Sequence, residues 1–259
     1  MTAHRPRKRF GQHFLTAPEI IEQIVAAIAP AQSDTIVEIG PGQAALTTPL
    51  VESGATVHAI ELDRDLAASL RSHFATAPNF ELHAADALDV DFTTFGASIR
   101  VVGNLPYNIS TPLMFHLLDA AASIRDAHFM LQKEVVDRLA AAPGSKDYGR
   151  LTVMLGCRMQ TEPLFDVPPS AFTPPPRVTS AVIRLSPLPP GSFDIADPLL
   201  FERLVRQAFS QRRKTLRNAL RGEADAAVLT SAGIDPALRP ERLAVGDWVR
   251  LANALHGAK

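Results

Sequence analysis

Cysteine occurs once in the 259 residues, as Cys157. A disulfide framework and a four-cysteine metal site are thereby excluded. A single thiol fits a reducing cytosol without demanding one. No apolar run reaches the roughly 18 residues of a membrane span. The basic stretch His4-Arg5-Pro6-Arg7-Lys8-Arg9 is not followed by the apolar segment that a secretory signal needs. A cytoplasmic protein with no membrane association is expected. Net charge is also nearly absent, since 26 Lys and Arg meet 27 Asp and Glu, giving −1. A chain that binds nucleic acid through basicity along its whole length is excluded, whereas a local basic patch is not. His4, His58, His73, His83, His116, His128 and His256 show no paired ligand spacing, so no metal is expected. Internal repeats and long low-complexity segments are lacking.

The chain does have apolar content. Hydrophobic residues make up 46% and charged residues 20%, enough to bury a substantial core. The length allows one large domain, or one large and one small. Charge is segregated: residues 1–15 carry +4, residues 16–191 carry −8 and residues 192–259 carry +3. An acidic body with basic ends suggests a polyanion touched at particular places. Prolines cluster at 168–169, 174–176 and 187–190, and the last group, with Gly191, reads as a linker. The expected domains are residues 1–190 and a helical domain of residues 191–259, with the boundary near 187–196.

Strand and helix patterns alternate in the first part. Short β-rich runs fall at Thr35 to Ile39, Thr56 to Ile60, Phe80 to His83, Ile99 to Val102, His128 to Leu131 and Val178 to Leu185. Helical periodicity separates most of them, at Ile20 to Ile28, Ala44 to Glu52, Asp65 to Phe74, Leu113 to Ala121 and Glu134 to Ala141. The alternation predicts an α/β fold with a mainly parallel sheet and helices on both faces. After residue 197 only helical patterns remain: Leu199 to Ala208, Thr215 to Leu220 and Leu243 to Leu255. Trp248 and Cys157 are expected to pack in the core.

Gly40-Pro41-Gly42, with Ala45, matches G-x-G-x-x-[GA] directly after the first of these β-rich runs. Glycine permits a tight turn and lets a ligand approach the backbone. Glu61 ends the next strand, where a carboxylate can accept hydrogen bonds from ribose hydroxyls. Asp86, after the third strand, suits an adenine amino group or, alternatively, a helix N-cap. The pattern fits a dinucleotide and S-adenosylmethionine equally, and also a turn that only packs strand on helix.

Asn104-Leu105-Pro106-Tyr107 discriminates further. It follows the fourth strand, at the strand end where ligands react in such sheets. An amide side chain, two backbone carbonyls and a phenol come together there. Such a set accepts hydrogen bonds from an amine and offers a ring to stack on a base. Accepting both amine hydrogens favours a more tetrahedral nitrogen, whose lone pair is then available for attack. The alternative is a strand-to-helix turn with a buried tyrosine.

With these motifs in place, the chain resembles the KsgA/Dim1 family of small-subunit ribosomal RNA adenine dimethyltransferases along nearly its whole length. The likeness rests on Lys8 to Leu15, the Gly40 turn, Glu61, Asp86, the Asn104-Leu105-Pro106-Tyr107 tetrapeptide, Phe172 to Val178, Gln211 to Arg217 and Arg239-Pro240-Glu241. It implies a Rossmann-like class I S-adenosylmethionine-dependent methyltransferase domain followed by a small all-helical domain. The implied reaction is dimethylation of the 6-amino groups of two adjacent adenosines near the 3′ end of small-subunit rRNA, within an immature particle and late in subunit assembly. His13 and Leu15 match the N-terminal cofactor-binding segment, where asparagine is common in place of His13. Gly40, Glu61, Asp86 and Asn104 match the other cofactor contacts. Tyr107 and Phe172 match the aromatics that sandwich the target base. A proline-rich, stiffened loop would hold the Phe172 ring at low entropic cost, and a base reaches such a pocket only when splayed out. Phe10 and Phe14 are read as packing residues. A monomer is expected.

Arg203 to Arg221 holds seven basic residues and no acid. On one continuous helix, Arg203, Arg206, Arg213, Lys214, Arg217 and Arg221 would share an arc of about 100°. Arg212 would then lie on the apolar side, which admits a break near Ser210. Arg206, Arg213, Lys214, Arg217 and Arg221 are the expected phosphate contacts, against the alternative of a solvated helix face. Three rivals remain: the related large-subunit rRNA dimethyltransferases, a non-catalytic RNA-binding assembly or transcription factor, and an NAD-dependent oxidoreductase. Gln211 to Arg217 and Arg239-Pro240-Glu241 match the small-subunit branch better, and intact Asn104, Tyr107 and Phe172 argue for retained chemistry.

Overall fold

A computed structural model describes residues 13–106 and 109–257. Tyr107 and the basic segment before His13 therefore lie outside the described residues. In chain order the elements of the first part are β1 (Phe14–Leu15), α1 (Pro18–Ile28), β2 (Thr35–Ile39), α2 (Thr47–Glu52), β3 (Thr56–Ile60), α3 (Arg64–His73), β4 (Phe80–His83), β5 (Ile99–Asn104), α4 (Ser110–Asp119) and β6 (Ile124–Gln132). There follow α5 (Lys133–Leu139), α6 (Arg150–Gly156), β7 (Met159–Val167), β8 (Phe172–Thr173) and β9 (Ser180–Pro187). The last elements are α7 (Pro198–Ser210), α8 (Leu216–Ala219), α9 (Ala226–Ser231) and α10 (Val245–Gly257).

A seven-stranded sheet runs in the order β4-β3-β2-β5-β6-β9-β7. Neighbours from β4 to β6 are parallel, and β9 lies antiparallel on β6. The chain moves one way from β2 through β3 to β4, then crosses back to β5 and β6. Such a reversal opens a crevice at the carboxyl ends of β2 and β5. The central strands are almost wholly apolar, as a sheet covered on both faces requires, and Ile36, Val37, Val57, Val101 and Val102 are fully buried. Arg100 is the exception in β5. Its guanidinium donates to Asp34, Asp126 and the Ile28 and Ala29 carbonyls, so the charge is paired and tied to the end of α1. The fold is the Rossmann-like class I methyltransferase fold with a helical C-terminal part.

The chain divides into two compact units, Met1–Val136 with Thr161–Pro187, and Asp137–Gln160 with Leu188–Lys259. The sequence pattern assigns residues 137–160 to the first domain, and the structure does not. They join the helical unit because Tyr148, Val153 and Cys157 pack in one apolar cluster with Phe201, Leu204, Leu216 and Trp248. In that unit the Tyr148 hydroxyl donates to the Leu243 carbonyl at 2.7 Å, and Asp197 caps α7 by accepting from Leu200 N.

The continuous basic helix does not form. Helix α7 ends at Ser210 and α8 begins only at Leu216. In place of helix continuation, Leu216 N and Arg217 N donate to the Leu238 and Pro236 carbonyls, and Arg212 donates to the Ser145 carbonyl. The break near Ser210 moves Arg212 off the apolar side, where a straight helix would have buried a charge without a partner.

Candidate active site

The parallel strands deliver their carboxyl ends to one edge in the order β4, β3, β2, β5. Asp86, Glu61, the Gly40 turn and Asn104 therefore line up along it, and all of them line one cavity with His13, Leu15, Leu105, Pro106 and Phe172. Residues far apart in sequence meet there because the register of each strand pair carries its last residue to the same level.

The glycine turn is built from left-handed backbone: Gly40, Gly42 and Ala44 have φ of 67°, 59° and 68°. Gly40 N donates to the Ile60 carbonyl at 2.9 Å, stitching the turn to the end of β3. A side chain at Gly42 would also press on the Phe14 ring, at 3.3 Å. Gly103 has a different reason. A Cβ there would come within 2.5 Å of the Ile39 carbonyl oxygen, so β5 and the end of β2 approach as closely as they do only with glycine. That approach sets the height of Asn104 beside the turn.

Glu61 is 7% exposed, and its two oxygens accept from Gly42 N at 3.1 Å and Asp63 N at 2.8 Å. Two amides fix the carboxylate and leave its remaining lone pairs for a ligand. Burial raises its pKa, which these two amides oppose. Asp86 is not a helix cap. Its Oδ1 accepts from Leu88 N at 3.0 Å, an Asx-type turn that presents the carboxylate at the cavity wall.

Asn104 Nδ2 donates to the His13 carbonyl at 3.2 Å, and the His13 ring Nδ1 lies 2.7 Å from the Pro174 carbonyl. With Nδ2 engaged, Oδ1 is the acceptor that remains. Ile109 N and Ser110 Oγ both donate to the Pro106 carbonyl, while Leu105 N donates to Met130 O. Of the two carbonyls expected to face an amine, Pro106 is thus already committed, and Leu105 is the one beside Asn104.

Phe172 is expected in a loop but sits in β8, paired antiparallel with β1 so that it faces Leu15 in register. Thr16 N donates to the Ala171 carbonyl at 2.8 Å and extends the pairing. The ring is 3% exposed and packs with Leu15, Ile20 and Val167, so the face it offers is the one on the cavity. Pairing to β1, rather than proline stiffening alone, holds it.

Glu38 was missed by sequence reasoning. It is 2% exposed, lines the same cavity, and its Oε2 has no hydrogen-bond partner among the described residues. Burial pushes its pKa up to about 7; Thr47 opposes the shift and Glu61 adds to it. The signal was present: a lone acid in the apolar strand Thr-Ile-Val-Glu-Ile, one residue before the strand's end.

Of the basic run, Arg203 pairs with Glu223 at 3.1 Å and Arg206 lies 3.9 Å from Glu202. Two of the seven cations are therefore compensated by acids flanking the run. Arg213, Lys214, Arg217 and Arg221 are exposed, and no ion pair holds them among the described residues.

The profile of the family described as ribosomal RNA adenine dimethylase matches residues 3–256. The chain belongs to the ribosomal RNA adenine dimethylase family. Similarity to individual members of known name is high. The ribosomal RNA small subunit methyltransferase A of Aromatoleum aromaticum is 55% identical over 253 residues, covering 98% of this chain and 95% of that one. Among solved structures, a dimethyladenosine transferase from Plasmodium falciparum superposes with a TM-score of 0.80 at 26% identity, covering 92% of this chain and 96% of that one. The 23S rRNA methyltransferase ErmE reaches 0.74 at 27%, covering 94% and 99%. The matched span takes in both units of the chain, from the cavity-forming sheet to the helical part.

Proposed function

We propose that this protein is an S-adenosylmethionine-dependent rRNA adenine dimethyltransferase acting on two adjacent adenosines near the 3′ end of small-subunit rRNA. The observation that carries this is the charge of the cavity together with what stands at its mouth. Glu38, Glu61, Asp63 and Asp86 line it, no Lys or Arg among the described residues does, and it ends at Asn104-Leu105-Pro106. Acidic walls suit a ligand carrying an ammonium and a sulfonium and repel a dinucleotide's pyrophosphate. That disfavours the oxidoreductase reading, which the glycine turn alone left open. Glu61 holds the ribose hydroxyls, and Asp86 accepts from the adenine amine.

Bound S-adenosylmethionine supplies an electrophilic methyl group. The protein's own residues prepare the nucleophile. Asn104 Oδ1 and the Leu105 carbonyl accept the two hydrogens of the target amine, which localises its lone pair. The link from Asn104 Nδ2 to His13 keeps the amide from flipping to present a donor instead. Phe172, with Tyr107, stacks the extruded base. The exposed cations Arg213, Lys214, Arg217 and Arg221 dock phosphates of the RNA. The domain expectation is retained as a methyltransferase part and an RNA-docking helical part, the latter including residues 137–160.

The small-subunit assignment is supported by 55% identity to a protein named for that substrate, against 27% to a large-subunit enzyme. The substrate is an immature small-subunit particle, met in the cytoplasm by a monomeric enzyme. Among the described residues no helix is long and apolar enough to cross a membrane. The decisive experiment maps N6-dimethyladenosine in rRNA from cells with and without the gene. Loss of both marks near the small-subunit 3′ end is expected. Unchanged small-subunit rRNA with marks lost elsewhere would refute the assignment. In parallel, S-adenosylmethionine and not NAD should raise the melting temperature.

A further inference from the structure

Spacing along the chain conceals a histidine cluster that the sheet register assembles. In the parallel pairing of β3 with β4, His58 stands opposite Glu81, and His83 follows two residues later on the same strand. A period of two puts Glu81 and His83 on one face. The three side chains converge: His58 Nδ1 lies 3.3 Å from Glu81 Oε2 and 3.3 Å from His83 Nε2, and His83 Nε2 lies 3.8 Å from Glu81 Oε1. The Phe95 ring packs against both imidazoles, with centroids 5.0 Å from His58 and 5.2 Å from His83, and fixes their planes. Glu81 is open to solvent, its side chain 63% exposed, whereas the imidazoles are mostly covered at 17% and 28%.

We propose that His58, Glu81 and His83 bind one divalent transition-metal ion of the zinc class at the β3–β4 edge of the sheet. The distances carry this. A tetrahedral ion about 2.0–2.1 Å from nitrogen and oxygen ligands places those ligands roughly 3.4 Å from one another. His58 Nδ1 lies at that value from both His83 Nε2 and Glu81 Oε2, and the third separation, 3.8 Å from His83 Nε2 to the other carboxylate oxygen, is longer. An ion pair or a histidine–histidine hydrogen bond needs only two of the groups, yet one ligand atom from each of the three lies within 4.8 Å of the others. Two imidazoles and one carboxylate select zinc and its late first-row neighbours over magnesium or calcium, which take oxygen ligands. Solvent at the Glu81 side completes the fourth position. The site stands apart from the methyl-transfer cavity, because none of its three residues lines that cavity. Its effect is mechanical: β4 is an edge strand, paired among the described residues to β3 alone, and three residues beyond His83 the chain presents Asp86. An ion bridging β3 and β4 clamps that edge strand.

The test uses the full chain, free of any histidine tag and stripped with chelator. Zinc chloride is titrated by calorimetry, and cobalt chloride is followed by its visible absorption. One zinc per chain is expected, with cobalt bands of tetrahedral nitrogen and oxygen coordination and a rise in melting temperature on adding zinc. His83→Gln and Glu81→Gln should each weaken zinc binding at least about tenfold, since loss even of groups that only support a ligand costs that much. Glu81 is exposed, so the Glu81→Gln chain should fold as the parent does, and its melting temperature without metal checks this. Zinc affinity and stoichiometry unchanged in both variants, or absence of binding by the parent at micromolar protein, would overturn the proposal and leave the cluster as an imidazole pair capped by an ion pair.

Discussion

Glu38→Gln isolates the electrostatic strain of the acidic cavity. The parent carboxyl titrates near 7 in the folded chain rather than at 4.5, chiefly because it is buried. Between those two pH values the native state holds more protons than the unfolded state, so stability falls as pH rises. Below about 4.5 the group contributes nothing, and above about 7 the full penalty stands. The interval from 4.5 to about 7, at about 1.4 kcal/mol per pH unit, corresponds to about 3 kcal/mol. Glutamine keeps the shape and cannot ionise. Its own unpaired amide adds an offset that does not change with pH. The stability of the variant relative to the parent should therefore improve by about 3 kcal/mol from pH 4.5 to pH 8. For a chain of this size that is roughly 6–12 °C in melting temperature. The assay is calorimetric or urea unfolding of both ligand-free proteins across that range, reading only their difference, so that histidines common to both cancel. A difference that stays flat with pH, or moves the other way, would refute a buried, ligand-free Glu38. The counterpart is binding: the variant should hold S-adenosylmethionine more weakly at pH 8, where the parent offers a charge and glutamine does not.

Asn104→Ala should lower methyl transfer by about 100-fold or more, as loss of one preorganised polar group does elsewhere, while losing about 1 kcal/mol of stability with the bond to His13; near-parental turnover on immature particles would remove it from the chemistry. Gly103→Ala should cost about 1–3 kcal/mol or more, because its methyl meets the Ile39 carbonyl, and should lower activity by displacing Asn104; an unchanged melting temperature would contradict the close approach. Reversing Arg213, Lys214 and Arg217 to Glu should flatten the salt dependence of particle binding by about 0.7–0.9 in log–log slope for each phosphate that is no longer neutralised, with S-adenosylmethionine affinity unchanged as the control. An unaltered slope would make these cations a solvated surface.

The parallel half of the sheet was legible because β2, β3, β5 and β6 centre on apolar runs closed by turn residues, while the edge strand β4 alternates apolar Phe80 and Leu82 with polar Glu81 and His83. Glu61 and Asn104 were legible for the same reason, as polar residues where such runs stop. Strand β7 was not, since Met159–Val167 mixes polar and apolar residues and contains a proline. The two-residue strands β1 and β8 carry no periodicity and exist only through each other. Leu15 and Phe172 were thus named as site residues without the pairing that joins them. The break after Ser210 involves no Gly or Pro; only the misfit of Arg212 on an apolar side betrayed it. The joining of residues 137–160 to the helical unit depends on Tyr148 and Val153 finding partners beyond residue 200, which local pattern does not contain.

The bond from Asn104 to the His13 carbonyl has a consequence for the order in which the protein comes into being. His13 leaves the ribosome early, yet its ring is anchored by Pro174 and its neighbours by Ala171. During synthesis the Pro174 anchor that holds His13 for Asn104 arrives only after some 160 further residues have followed His13. A nascent chain carrying the glycine turn, Glu61 and Asp86 in place would hold one wall of the crevice while its amine acceptor still swung free. Contacts of such separation close slowly. The methylating centre is therefore among the last parts of the sheet-bearing unit to be set in a growing chain.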